Sequence, residues 1–140
     1  MGDVLRTTTI LNDIKGNVVW ITKPNVKQLL ENIPQISRLI DDVKDIKGEH
    51  FDTVLSLDDD IAGCSILKEI TFDNLYGFYE NNGKIMPRAE AVDWWSMSLN
   101  GSEDRDERKQ ANRKSFQYHL FRNIGSEFKG QDYVFGYKPK

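Results

Sequence analysis

The sequence predicts an α/β chain built on a doubly wound, mostly parallel sheet, and three observations carry that prediction. Short apolar or β-branched runs alternate with helical stretches in the order strand, helix, strand, helix, strand, which implies a parallel sheet covered on both faces. The best strand, Phe51 to Leu57, runs into Asp58-Asp59-Asp60 at its carboxyl end, where such sheets bind their ligands. Asn81-Asn82-Gly83 stands between two apolar segments. Asn-Gly there is a hairpin signal, because both turn positions need positive φ.

Each element follows from its own residues. Val4 to Leu11 reads as a helix with Asp3 as N-cap, since Val4, Thr8 and Leu11 recur on one face. Val18 to Thr22 is a short buried strand ended by Lys23-Pro24. Val26, Leu29, Leu30 and Ile33 repeat at helical spacing before Pro34. Ile36 to Ile40 suits a short strand, although Arg38, Asp41 and Asp42 also suit a helix end. After the central strand, Ile61 to Leu67 is a helix whose small Ala62, Gly63 and Cys64 allow close packing on the sheet. Leu75 to Tyr79 and Lys84 to Met86 form the hairpin arms. Ala89 to Leu99 is a helix stopped by Gly101, and Asp104 to Ile124 a longer one stopped by Gly125. Tyr133 to Tyr137 is an aromatic strand or tail. No repeat or linker divides the chain, so one domain over residues 1–140 is expected.

Composition narrows the function classes. With 140 residues and 39% hydrophobic content the chain is long enough for a real core and too apolar for disorder. A net charge of -3 leaves no basic surplus for a nucleic-acid backbone. Cys64 is the sole cysteine, so no internal disulfide forms and a reducing cytoplasm is the expected compartment. No run of about 20 apolar residues exists to span a bilayer, and Asp3 and Arg6 interrupt any signal peptide.

Two places carry candidate chemistry. Asp3 is either an N-cap, accepting backbone N–H bonds, or a general base at the mouth of the sheet. These roles compete for the same oxygens. Asp58-Asp59-Asp60 admits three readings: a D-x-D pair holding a divalent ion, the acidic site of a receiver-like signalling module centred on Asp58, or a solvated turn with one acid capping the next helix. His50 and His119 are far apart in sequence with no cysteine near either, which gives metal binding little support. His119 is expected at a core boundary, and Trp94-Trp95 as one core ring and one partly exposed ring. Arg105, Arg108, Lys109, Arg113 and Lys114 make a basic stripe. Glu103, Asp104, Asp106 and Glu107 interleave with it, as on a solvated helix with internal ion pairs.

Gly2-Asp3-Val4-Leu5-Arg6-Thr7-Thr8 resembles the opening of the heptosyltransferase-like enzymes of glycosyltransferase family 9. Further matches run in register: Trp20-Ile21-Thr22 with Pro24-Asn25, Leu29-Leu30-Glu31-Asn32 with Pro34, Phe51-Asp52-Thr53-Val54, Leu57-Asp58 with Asp60 and Cys64, Tyr76-Gly77-Phe78, Asn82-Gly83-Lys84, Ala89-Glu90-Ala91 and Asn112-Arg113-Lys114-Ser115. The resemblance implies the N-terminal, acceptor-side half of a GT-B fold, Rossmann-like, with a β-hairpin and C-terminal helices. It implies inverting transfer of a heptose-type sugar from a nucleotide-sugar donor such as ADP-heptose to a lipopolysaccharide-type acceptor, with a peripheral membrane contact implied by that acceptor. Asp3 would be the catalytic base, Gly2 and Arg6 acceptor-binding, and Asp58 and Asp60 cleft-lining; no metal or cofactor is called for.

Thr9 stands where the family has proline, a mild change in a first helical turn. The larger departure is that the family's first, central strand does not precede Gly2, and no donor-binding domain follows. The expectation is that Met1 is internal to a longer protein or that the gene is a fragment, and that the chain alone is inactive. Without that strand, Val18–Thr22 and Thr53–Leu57 would be separated. The competing expectation is a flavodoxin-like binding or signalling module using Asp58.

Overall fold

The computed structural model describes residues 2–136 and is a mixed α/β protein. Its contacts gather into two compact units. Among the described residues, the first holds those up to Ile46 together with Lys129–Gly136; the second is Lys47–Phe128. The sequence offers no linker to mark this division. It arises because the end of the chain returns to its beginning: Asn12 Nδ2 donates to the Asp132 carbonyl at 2.8 Å, and the Val134 N–H to Thr8 Oγ1 at 3.0 Å.

In the first unit, α1 (Gly2–Thr7) tightens into a 3-10 turn over Thr8–Asn12. Three successive threonines explain the tightening. Thr7, Thr8 and Thr9 each donate a hydroxyl back to a carbonyl, of Asp3, Leu5 and Arg6, at 2.7, 2.7 and 2.9 Å, bonds that compete with and bend a helix. They also let Thr8 and Thr9 lie fully buried. β1 (Val19–Ile21) pairs in parallel with β2 (Arg38–Ile40), Val19 against Arg38 and Ile21 against Ile40. The crossover between them holds α2 (Pro24–Lys27), with Pro24 in its first turn. The helix expected to reach Ile33 ends early. Leu29, Leu30 and Ile33 bond to carbonyls three residues back, and Asn32 takes a left-handed φ of 64°. Leu11, Leu30 and Ile33 form the core, with Val18, Trp20, Leu39 and Val134 packed on it. Tyr133–Gly136 forms no strand; Tyr137 lies outside the described residues.

The second unit begins with β3 (His50–Ser56), α3 (Ile61–Ser65) and β4 (Thr71–Asn81), β3 and β4 running parallel. β5 (Lys84–Pro87) then pairs antiparallel with β4, closing a three-stranded mixed sheet of order β3-β4-β5. Asn82 and Gly83, at φ of 52° and 79°, make the two-residue turn that the Asn-Gly signal predicts. Phe78, Ile85, Cys64 and Ala91 form the core beneath Trp94 and Trp95. The sheet that the sequence suggests as one is thus two ladders, β1-β2 and β3-β4-β5.

α4 (Val92–Met97) follows a 3-10 turn at Ala89–Ala91. The single long helix expected over Asp104–Ile124 is two: α5 (Arg105–Ala111) and α6 (Phe116–Asn123). Asn112 breaks it. Its backbone is extended, its Oδ1 accepts the Lys114 N–H at 3.1 Å, and Ser115 then caps α6 by accepting the Tyr118 N–H at 3.1 Å. Short polar side chains offer the backbone these local partners in place of helical ones. No helix among the described residues is long and apolar enough to cross a membrane.

Candidate functional site

The residues singled out in the sequence fall into two groups. Gly2, Asp3 and Arg6 belong to the first unit, Asp58 and Asp60 to the second.

Asp3 lies inside the first turn of α1 rather than before it, so it is not a flanking cap. Its carboxylate is largely exposed and takes the Arg6 guanidinium, Nη2 to Oδ1 at 2.6 Å. Arg6 is half-buried, one turn along the same helix. Gly2 has open space where a Cβ would stand. A cleft of about 320 Å³ in this unit is lined by Lys27, Leu30, Glu31, Asn32, Ile33, Ile36 and Leu39; Gly2, Asp3 and Arg6 are not among its walls.

The acidic turn has the more elaborate geometry. It stands at the carboxyl end of β3, where the parallel pair β3-β4 opens toward the start of α3. Asp60 is the N-cap of α3, with extended backbone and Oδ1 accepting the Gly63 N–H at 2.6 Å. Gly63 is required here because a Cβ would fall 2.6 Å from the Asp58 Cβ and 3.1 Å from Asp60 Oδ1. Asp58 is exposed, and its carbonyl receives the Cys64 thiol at 3.5 Å.

Asp59, between them, is the residue the sequence reading passed over. Burial raises its carboxyl above the usual Asp range and the Asp60 charge pushes the same way, against hydrogen bonds from Ser98 and Trp94 that favour the ionised form. Asn100 Nδ2 donates to its carbonyl at 3.0 Å. A half-buried acid with a raised pKa beside a second carboxylate can hold a proton and release it, as acid–base groups in active sites do. Nothing local distinguishes the middle of three aspartates. Only the packing of Trp94 on α4, and of Ser98 just after it, makes it different. Cys64 is held as a thiol: burial first, then the three neighbouring aspartates, push it up to about 11. It is therefore no nucleophile at neutral pH.

His119 is a core residue, 6% exposed, not a boundary one. Its Nε2 meets Asn112 Oδ1 at 3.0 Å, and its ring lies edge-on to Trp94 and Tyr118. Desolvation lowers its pKa. Trp94 and Trp95 are both partly buried, with the Trp95 indole N–H donating to the Ile85 carbonyl at 2.7 Å. Arg108, Arg113 and Lys114 of the basic stripe find local partners. Arg108 grips both oxygens of Asp104 at 2.9 Å, Arg113 donates to the Gln110 and Asn112 carbonyls, and Lys114 lies 4.9 Å over the Tyr118 ring.

Comparison with protein-family models, with curated proteins and with solved structures gives no match to this chain.

Proposed function

We propose that the chain is the acceptor-side part of an inverting, heptosyltransferase-like glycosyltransferase, with Asp3 as its base. The observation that carries this reading is the Gly2–Thr8 run with its exposed carboxylate clamped by Arg6. An exposed carboxylate on a short helix is placed to meet a sugar hydroxyl, and a guanidinium alongside suits an acceptor that bears phosphate. In the step proposed, Asp3 takes the proton of an acceptor hydroxyl and that oxygen attacks the anomeric carbon. The bond from that carbon to the nucleotide diphosphate breaks, and the nucleoside diphosphate leaves with the electron pair. Arg6 engages Oδ1, so proton transfer falls to the other oxygen. Gly2 keeps the approach to Asp3 open. The nucleotide sugar is a substrate and the reading calls for no cofactor.

The step requires donor and acceptor to be held in line. Titrating the chain with a phosphorylated lipopolysaccharide core oligosaccharide should shift the amide resonances of Gly2 to Arg6. Joined to a family donor-binding domain, it should transfer heptose from ADP-heptose, and Asp3→Ala should lower turnover by about 10²–10⁴-fold. Unchanged turnover in that variant removes Asp3 as base.

A second reading is favoured by the acidic turn at the carboxyl end of a parallel strand pair. There Asp58 would be the acceptor of a phosphoryl group. Incubation with acetyl phosphate and Mg²⁺ labels Asp58 on that reading and leaves it unlabelled on the first.

A further inference from the structure

At the opposite end of the β3-β4 pair from the acidic turn, three side chains converge that neither reading uses. His50 and Asp52 are two residues apart on β3 and so project from one face of the sheet. The register pairs His50 with Thr71 and Thr53 with Asn74, which places Asp52 level with Asp73 on the adjacent strand. One ligand atom from each of His50, Asp52 and Asp73 lies within 4.8 Å of the others.

We propose that His50, Asp52 and Asp73 form a divalent-cation site of the zinc class, joining the amino-terminal ends of β3 and β4. Three features point to a cation. The first is the placement of two carboxylates level with each other on neighbouring strands, where like charges repel. A divalent ion between them turns that repulsion into attraction. The second is how the imidazole is held. His50 Nδ1 meets Thr71 Oγ1 at 2.8 Å, and Nε2 faces Asp73 Oδ1 at 3.2 Å. An incoming cation would replace the Nε2–Asp73 contact and take the Nε2 lone pair, with Nδ1–H then donating to the Thr71 hydroxyl. A ligand histidine oriented through its other nitrogen is the usual second-shell device of metal sites.

The third feature is distance. Nitrogen and oxygen ligands about 2.0–2.1 Å from a tetrahedral ion stand roughly 3.3 Å apart, close to the separation of Nε2 and Asp73 Oδ1. One imidazole with two carboxylates favours Zn²⁺ or a neighbouring first-row ion over Ca²⁺ or Mg²⁺, which take all-oxygen sets. Three protein ligands on an exposed sheet face leave a further position for water.

Calorimetric titration of the chain with Zn²⁺ should show one saturable site, accompanied by a higher unfolding midpoint, since an ion that binds only the folded state stabilises it. His50→Ala and Asp73→Asn should each weaken binding at least about tenfold, while His119→Gln leaves it unchanged. Circular dichroism confirms that each variant is folded. Co²⁺ should give visible d–d bands without a thiolate charge-transfer band, which excludes Cys64 as a ligand. The absence of saturable Zn²⁺ binding overturns the proposal, and so does Zn²⁺ binding that survives in the combined His50→Ala, Asp73→Asn variant. Because sugar transfer is read separately through Asp3, failure here leaves the proposed function standing.

Discussion

Among the three consecutive aspartates, each has a different task set by its surroundings. Asp60 gives its carboxylate to the first turn of α3 and Asp58 faces solvent, while Asp59 is drawn under Trp94 and Ser98. The carboxyl of Asp59 keeps its proton to higher pH in the folded chain than in the unfolded one. Between those two pKa values the folded state binds more protons, so this residue makes stability fall as pH rises. Asp59→Asn keeps an acceptor for both donors and removes the ionisation. Its unfolding midpoint should exceed that of the parent at pH 8, and the gain should shrink as pH falls through the folded pKa. An equal gain at every pH would show that the carboxyl is not destabilised by burial. Sequence reading weighed only the outer members of the acidic turn, since they alone match a D-x-D. Desolvation depends on what packs above a residue, and that partner is about 35 positions away.

At the scale of elements, the β3-α3-β4-β5 segment was legible because its signals are local: a β-branched strand, small residues in the following helix, and an Asn-Gly turn. One constraint inside it was not. Gly77 sits on β4 opposite Ser56 with φ of 98°, and a Cβ there would fall 1.9 Å from the Ser56 carbonyl oxygen. Both strain and backbone collision oppose any side chain. Gly77→Ala should therefore destabilise the second unit by about 2–4 kcal/mol, measured by urea denaturation, and an effect under about 0.5 kcal/mol would contradict the geometry. Helix lengths were the least legible feature. Asp104–Ile124 contains no glycine or proline to stop a helix, yet Asn112 and Ser115 break it by bonding their own neighbourhood, a competition that composition does not weigh. The same holds for Val26–Ile33, which keeps its apolar spacing while adopting tighter, three-residue bonds.

For the whole molecule, pH response is the readout that combines the perturbed groups. His119 is buried and its pKa is lowered from 6.5, so the unfolded chain binds a proton that the folded chain refuses. Stability is fully present above the unfolded pKa and is lost as pH falls toward the folded value. Unfolding free energy should decline between pH 7 and pH 5, and His119→Gln should flatten that slope; a slope unchanged by the substitution would assign it to other groups. Asp59 acts in the opposite sense, with acidification relieving rather than creating a buried charge. The two substitutions therefore move the pH profile in opposite directions.

The residue order by itself determined the α/β class, the best strand, the hairpin and the helix stop at Gly125, because each rests on the conformational limits of a few adjacent residues. Tertiary structure alone decided that the strands form two ladders, that the end of the chain packs back on its start, that His119 is a core residue, that Asp59 is the perturbed acid, and that His50 meets Asp73. Those outcomes come from contacts between residues far apart in sequence. Burial and strand register are properties of the packed chain, and no local pattern encodes them.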